Sequence, residues 1–226
     1  MHPSALFAIL SALAVVIWVV WSLWQTRDAS QVAPGALGLF ASLWLALPSV
    51  VGALGVLSNF EEMPPRILFM FPVVLIAALA FAFSRWGTAL IEHFSLAALI
   101  GFHTFRVLPE TMLLLAYRDG LAPIQLTIEG RNWDIVSAVT ALIIFMIYRR
   151  TTPPRWLAIV WSILSIGLLI NILTVAILSV PTPFRAFHNE PANTFVATFP
   201  FILLPTVFVA AAIAGHLLVI RKLRNS

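Results

Sequence analysis

Hydrophobic and polar positions alternate along this chain in blocks of a helix span rather than residue by residue. Seven apolar stretches, Ala5–Trp24, Ala36–Leu57, Ile67–Ser84, Phe94–Tyr117, Ile135–Tyr148, Trp156–Val180 and Phe195–Ile220, are parted by breaks that carry charge, proline or glycine. A hydrocarbon layer about 30 Å thick takes about 20 residues of helix. The pattern therefore predicts an all-α polytopic membrane protein, with spans at 5–24, 36–57, 67–84, 94–117, 132–148, 156–180 and 195–220. The seven would form a single transmembrane domain over residues 1–226, with no room for a soluble one. The fifth span reaches its length only by extending back through "NWD", with Asn132 or Asp134 as its N-cap. The first is too long, and too weakly basic at its start, for a typical cleaved signal peptide, and reads as a retained helix.

Composition agrees with the pattern. Of 226 residues, 61% are hydrophobic and 10% charged, against roughly 25% charged in soluble domains. Cysteine is absent, which removes disulfides, thiolate metal sites and the haem-attachment motif. Lys222 is the sole lysine and lies at the chain's end, so a retinal Schiff base within the bundle is excluded. The net charge of +4 reports orientation in a membrane protein and implies no nucleic-acid partner.

Arg27, Arg85, Arg149, Arg150, Arg155, Arg221, Lys222 and Arg224 fall in one set of alternate loops; Arg66, Arg118, Arg131 and Arg185 fall in the other. The richer set marks the cytoplasm, which puts the N-terminus outside and the C-terminus inside. The polar loops 58–66, 118–134 and 181–193 then share the outer face. Within the second, "PIQLTIEG" alternates as an extended segment does, and is expected to lie over the helix ends as a lid. No internal repeat is visible, and an odd number of spans weakens an inverted-repeat transporter reading.

The fourth span is the unusual one. At about 100° per residue, Glu92, His103, Arg106, Glu110 and Tyr117 fall on one face while the other is Leu, Ala, Ile and Phe. Arg106 sits near the middle of the span. An arginine there costs about 2.5–3.5 kcal/mol on a lone helix, so the face must turn inward. Arg106 and Glu110 are expected to pair at i,i+4, and Pro109 frees the carbonyl of Phe105. Buried ionisable groups in a membrane are functional candidates by default, although a structural ion pair between helices accounts for the same residues.

Two further blocks carry polar chemistry: "EGRNWD" (129–134) and "FRAFHNEPAN" (184–193). Convergence of short outer loops over the stripe makes His103, Arg106, Glu110, Arg131, Asp134, Glu190 and Asn193 the candidate solute- or ion-binding set, with Arg131 and Glu190 as an outer gate. Glu92 and His93 read as interfacial anchors, Asn171 as an interhelical hydrogen-bonder and His216 as a snorkelling or capping residue near the cytoplasmic end. "FPFILLP" should bend the seventh span at Pro200 and Pro205 and free carbonyls. The histidines could face one another as His103 with His188 or His93 with His216, but no H-x-x-x-H or H-E-x-x-H spacing occurs. No metal or cofactor is expected.

With "FRVLPE", "EGRNWD" and "NEPANT", the chain resembles a widespread group of uncharacterised bacterial integral membrane proteins, over Gly101 to the C-terminus. The resemblance implies a bacterial inner-membrane location and supplies no activity and no site residues. The leading expectation is binding or transport of a small polar or anionic solute or ion, with Arg106 as the anion's counter-charge and Glu110 with His103 exchanging protons. A membrane-embedded enzyme acting on a lipid or periplasmic substrate, with Glu110 or His103 as general base, and a non-catalytic subunit or assembly factor are the alternatives. The lipid bilayer is the one partner the residues imply; oligomeric partners are left open.

Overall fold

The computed structural model describes residues 2–31 and 33–225. They form helices α1 (Pro3–Gln25), α2 (Arg27–Ser30), α3 (Pro34–Ala53), α4 (Met70–Phe83), α5 (Arg85–His93), α6 (Leu96–Phe102), α7 (Val107–Arg118), α8 (Ile135–Tyr148), α9 (Arg155–Ile177) and α10 (Ala210–Asn225), with no strand among the described residues. Helix starts follow local chemistry. Pro3 and Pro34 occupy first turns, where a missing N–H costs nothing. The hydroxyls of Ser84 and Ser95 accept backbone N–H groups at the heads of α5 and α6.

Among the described residues, six helices are long and apolar enough to cross a membrane: Pro3–Gln25, Gly35–Ala53, Arg66–Phe83, Leu96–Arg118, Arg155–Ile177 and Leu204–Asn225. The fifth expected span departs from that standard. α8 has 14 residues, roughly 21 Å at 1.5 Å per residue, and its helix begins at Ile135 rather than Asn132. The expected strand-like lid before it is a 3₁₀ turn, Ile124–Leu126. Gln125, Leu126 and Thr127 are buried, so this segment plugs the bundle end instead of covering it. Irregular backbone at such depth persists only where protein satisfies it. Here Gln125 Nε2 donates to Ser179 Oγ at 3.0 Å, and Asn132 Nδ2 donates to the Leu126 carbonyl at 3.0 Å.

The fourth and seventh spans are also less regular than expected. The stripe from Glu92 to Tyr117 is not one helix: Phe94 and Ser95 separate α5 from α6, and Glu92 and His93 are exposed on α5. A 3₁₀ turn, His103–Arg106, then breaks the run immediately before α7. In the seventh, residues 195–203 form a 3₁₀ turn and loops, and Leu204–Val209 is a π-helical stretch before α10. Pro205 lies inside that stretch, and the Thr206 carbonyl accepts Trp44 Nε1 at 2.9 Å.

Three polar contacts fix which ends lie together. The Ser4 N–H donates to Asp119 Oδ2 at 3.1 Å, so the start of α1 meets the end of α7. That hydrogen bonding holds the half-buried Asp119 carboxyl below its ordinary value. At the opposite end, Arg221 donates to the Ala82 carbonyl and Lys222 Nζ donates to the Ile91 carbonyl at 2.6 Å. Both cations sit at helix C-termini, where free carbonyls and the helix dipole favour positive charge.

Candidate functional site

Arg106 is 1% exposed, and every nitrogen of its guanidinium has a partner. Nε donates to Asp134 Oδ2 at 2.7 Å while Nη2 bonds Asp134 Oδ1, making a two-point pair. Nη1 donates to Ser165 Oγ at 2.6 Å and faces His216 Nε2 at 3.2 Å. Because guanidinium nitrogens only donate, Nε2 of His216 is the acceptor there and its proton sits on Nδ1. The expected i,i+4 pair with Glu110 does not form. The 3₁₀ turn at 103–106 alters the helical register ahead of α7, and the start of α8 brings a carboxylate with better geometry.

Glu110 takes a different partner. It is 5% exposed and accepts Asn132 Nδ2 at 2.6 Å; no cation lies within ion-pair distance of it among the described residues. Asn132 is fully buried and ties the cluster together, since its Oδ1 also accepts the Asp134 N–H at 3.1 Å. Asp134 occupies the N-cap position of α8 but makes no side-chain cap bond; its carboxylate is spent on Arg106 and on Ser137 Oγ at 3.4 Å.

Beneath this network lies an imidazole pair. His103 and His216 stack with ring centroids 4.1 Å apart, and Trp161 packs on both. His103 is fully buried, and neither of its ring nitrogens has a hydrogen-bond partner among the described residues; nor does Nδ1 of His216. Gly215 makes this possible: a Cβ there would stand 2.8 Å from His103 Nε2. His216 thus lies in the core beside Arg106, not at the membrane surface, and the histidine pairing is His103 with His216 rather than with His188 or His93. No group of three or more His, Cys, Asp or Glu among the described residues could hold a metal ion.

The rim residues lie apart from the cluster. Glu190 is exposed and pairs with Arg185 at 3.0 Å, whereas exposed Arg131 lies over the Phe187 ring at 5.1 Å. They do not form a gate with each other. Asn193 is buried, but its Nδ2 donates to the Ala176 carbonyl at 2.9 Å, clamping the loop to the end of α9. The Arg131 carbonyl accepts Asn171 Nδ2 at 2.8 Å. Asn132, Ser165, Trp161 and His216 belong to the core of the arrangement and were absent from the expected set. Asn132 stood in plain view within "EGRNWD"; Ser162 and Ser165, one turn apart on a mainly apolar α9, were the available sign of its inward face.

A family model described as Domain of unknown function (DUF8737) matches residues 64–224, beginning well ahead of Gly101. No curated protein and no solved structure matches the chain. The match takes in α4 to α10 and therefore every residue of the buried cluster, and the chain belongs to this family, Domain of unknown function (DUF8737).

Proposed function

We propose that the chain is a single seven-span domain of a bacterial inner membrane, N-terminus outside, whose buried cluster exchanges protons in the transfer of a small polar solute or ion. In this reading α8 is the fifth of the seven spans, extended by the partly buried 124–134 segment. The Ser4–Asp119 contact supports placing the N-terminus and the 118–134 loop on one face, and the excess of Lys and Arg on the opposite loops supports calling that face the outer one.

One observation carries the functional reading: the charges are unequally satisfied. Arg106 is saturated by Asp134, Ser165 and His216, which leaves little of its charge for an anion. Glu110 and His103 are buried with no charged partner. A carboxyl and an imidazole in that state are the groups able to take up and release a proton, while the Arg106–Asp134 pair holds them in place.

The saturation of Arg106 favours a second reading, in which the cluster only fixes the bundle. Proteoliposomes loaded with a pH-sensitive dye and driven by a potassium diffusion potential separate the two. Wild-type protein should carry protons above empty liposomes, and Glu110→Gln and His103→Phe should lower that flux roughly tenfold or more, within the range of a lost acid–base group. Wild-type flux equal to that of empty liposomes overturns the proton reading and leaves the scaffold.

A further inference from the structure

The bundle also encloses a cavity of about 680 Å³, between α1, α3, α4, α6, α8 and α10. It lies toward the end that carries α5, since Phe81, Leu90 and Phe94 are among its walls. No charged side chain lines it, and Ser22 and Thr104 are the lining residues with hydroxyls. The Ser22 hydroxyl is already spent on the Trp18 carbonyl at 2.9 Å.

The space exists because facing positions are small. Ala98 on α6 and Ala211 and Ala214 on α10 present only methyl groups to it. Trp18, Trp21 and Leu43 also line it and are 37%, 55% and 56% exposed; they continue outward into the apolar belt that includes Ile17, Leu39 and Leu47. Protein interiors do not keep voids of ligand size empty, the volume falls within the range of small-molecule sites, and an apolar lining does not hold water. The polar solute of the proposed function has nothing to bind here.

We infer that this cavity is a binding site for the acyl chain of a membrane phospholipid, entering from the belt past Trp18, Trp21 and Leu43. The inference rests on the chain lying in a membrane, not on the proton chemistry of the buried cluster. Gly215 lines the cavity and also touches His103, so the site and the imidazole pair share one backbone segment.

The test is a titration of delipidated full-length protein in detergent with phosphatidylcholine brominated on its acyl chain, read by quenching of tryptophan fluorescence. Trp44 lines the cavity, whereas Trp133 and Trp156 do not. Wild type should show a saturable quenching component above the linear background of probe partitioning. Ala214→Phe, and independently Ala98→Phe from the facing wall, should weaken half-saturation roughly tenfold by filling the space, because affinity here comes from contacts in a preformed cavity. Ile163→Phe on the exposed surface of α9 should leave it unchanged. Purely linear quenching of wild type, or equal saturation in both cavity-filling variants, overturns the inference. Protein that leaves the detergent phase altogether sinks the membrane reading instead, so the two failures are distinguishable.

Discussion

Residues 129–134 lead into α8 and residues 189–194 lead toward α10, each with a glutamate, at least one asparagine and an arginine within or near it, and Arg131 and Phe187 touch across the face they share. Their fates diverge. Asn132 and Asp134 are 0% and 4% exposed and engage Glu110 and Arg106. The Glu190 side chain is 70% exposed and pairs only with its neighbour Arg185. The difference lies in where regular helix begins. α8 starts at the residue after Asp134 and is short, so its leading residues sit deep. Between Asn193 and α10 come a 3₁₀ turn, loops and a π-helical stretch, and although Asn193 is buried as Asn132 is, Glu190 stays at the rim. What separates the blocks is the acid: Asp134, one residue ahead of regular helix, reaches Arg106, whereas Glu190 reaches only Arg185.

The comparison can be broken at Asp134. Asp134→Ala leaves Arg106 buried without its counter-charge, and removing one partner of such a pair costs about 3–5 kcal/mol. The expected result is a collapse of folded yield on size exclusion. Arg106→Leu with Asp134→Leu should recover most of that yield, because an apolar pair carries no desolvation cost. If Asp134→Ala folds as well as wild type, the cluster is not what holds the fourth and fifth spans together.

Asn132→Leu probes the same block more gently. It strips a donor from Glu110 and from the Leu126 carbonyl and an acceptor from the Asp134 N–H. Leaving buried polar groups unpaired costs about 1–3 kcal/mol each, so thermal unfolding in detergent should move clearly downward. Asn193→Ala removes one side-chain bond to α9, worth about 1 kcal/mol, and should shift the same transition less. Glu190→Gln should sit within about 0–1 kcal/mol of wild type, as exposed pairs do. A reversal of the order Asn132, Asn193, Glu190 would show that depth does not set the cost.

The smallest effect concerns pH. Hydrogen bonding from Ser4 depresses the Asp119 carboxyl in the folded state. A depressed carboxyl contributes stability above its unfolded value, and that contribution fades as pH falls through the folded one. Protection of the amides at the start of α1, corrected for intrinsic exchange, should therefore fall only once pH drops below the carboxyl's ordinary value, and Asp119→Asn should flatten that acid dependence.

Much of this was legible from residue type and period. An inward-facing Arg106 follows from the cost of exposing it to hydrocarbon, and the inward polar face of the fourth span follows with it. Which acid would meet Arg106 was not legible. A helical wheel assumes constant rotation, and the 3₁₀ turn at 103–106 interrupts it, favouring Asp134 over Glu110. His216 looked peripheral because its distance to the chain's end suggested the surface. In the structure α10 runs on to Asn225, which carries the imidazole inward to His103. The cavity had no signature of its own, since alanines on separate helices leave an opening only once those helices are juxtaposed.

The shortness of α8 has a bearing on biogenesis. On the seven-span reading proposed above, a nascent segment of 14 mainly apolar residues bounded by Asp134 and by Arg149 with Arg150 is poorly equipped to leave the translocon for lipid unaided, as a lone span asks for about 20. Arg106 has been synthesised before it, within a segment that carries its own penalty at the bilayer centre. Each charge lowers the other's cost once they meet, so integration of α8 should lean on α6–α7 as a waiting partner. Glycosylation mapping of truncated nascent chains would then find α8 inserted efficiently behind wild-type α6–α7 and poorly behind Arg106→Leu.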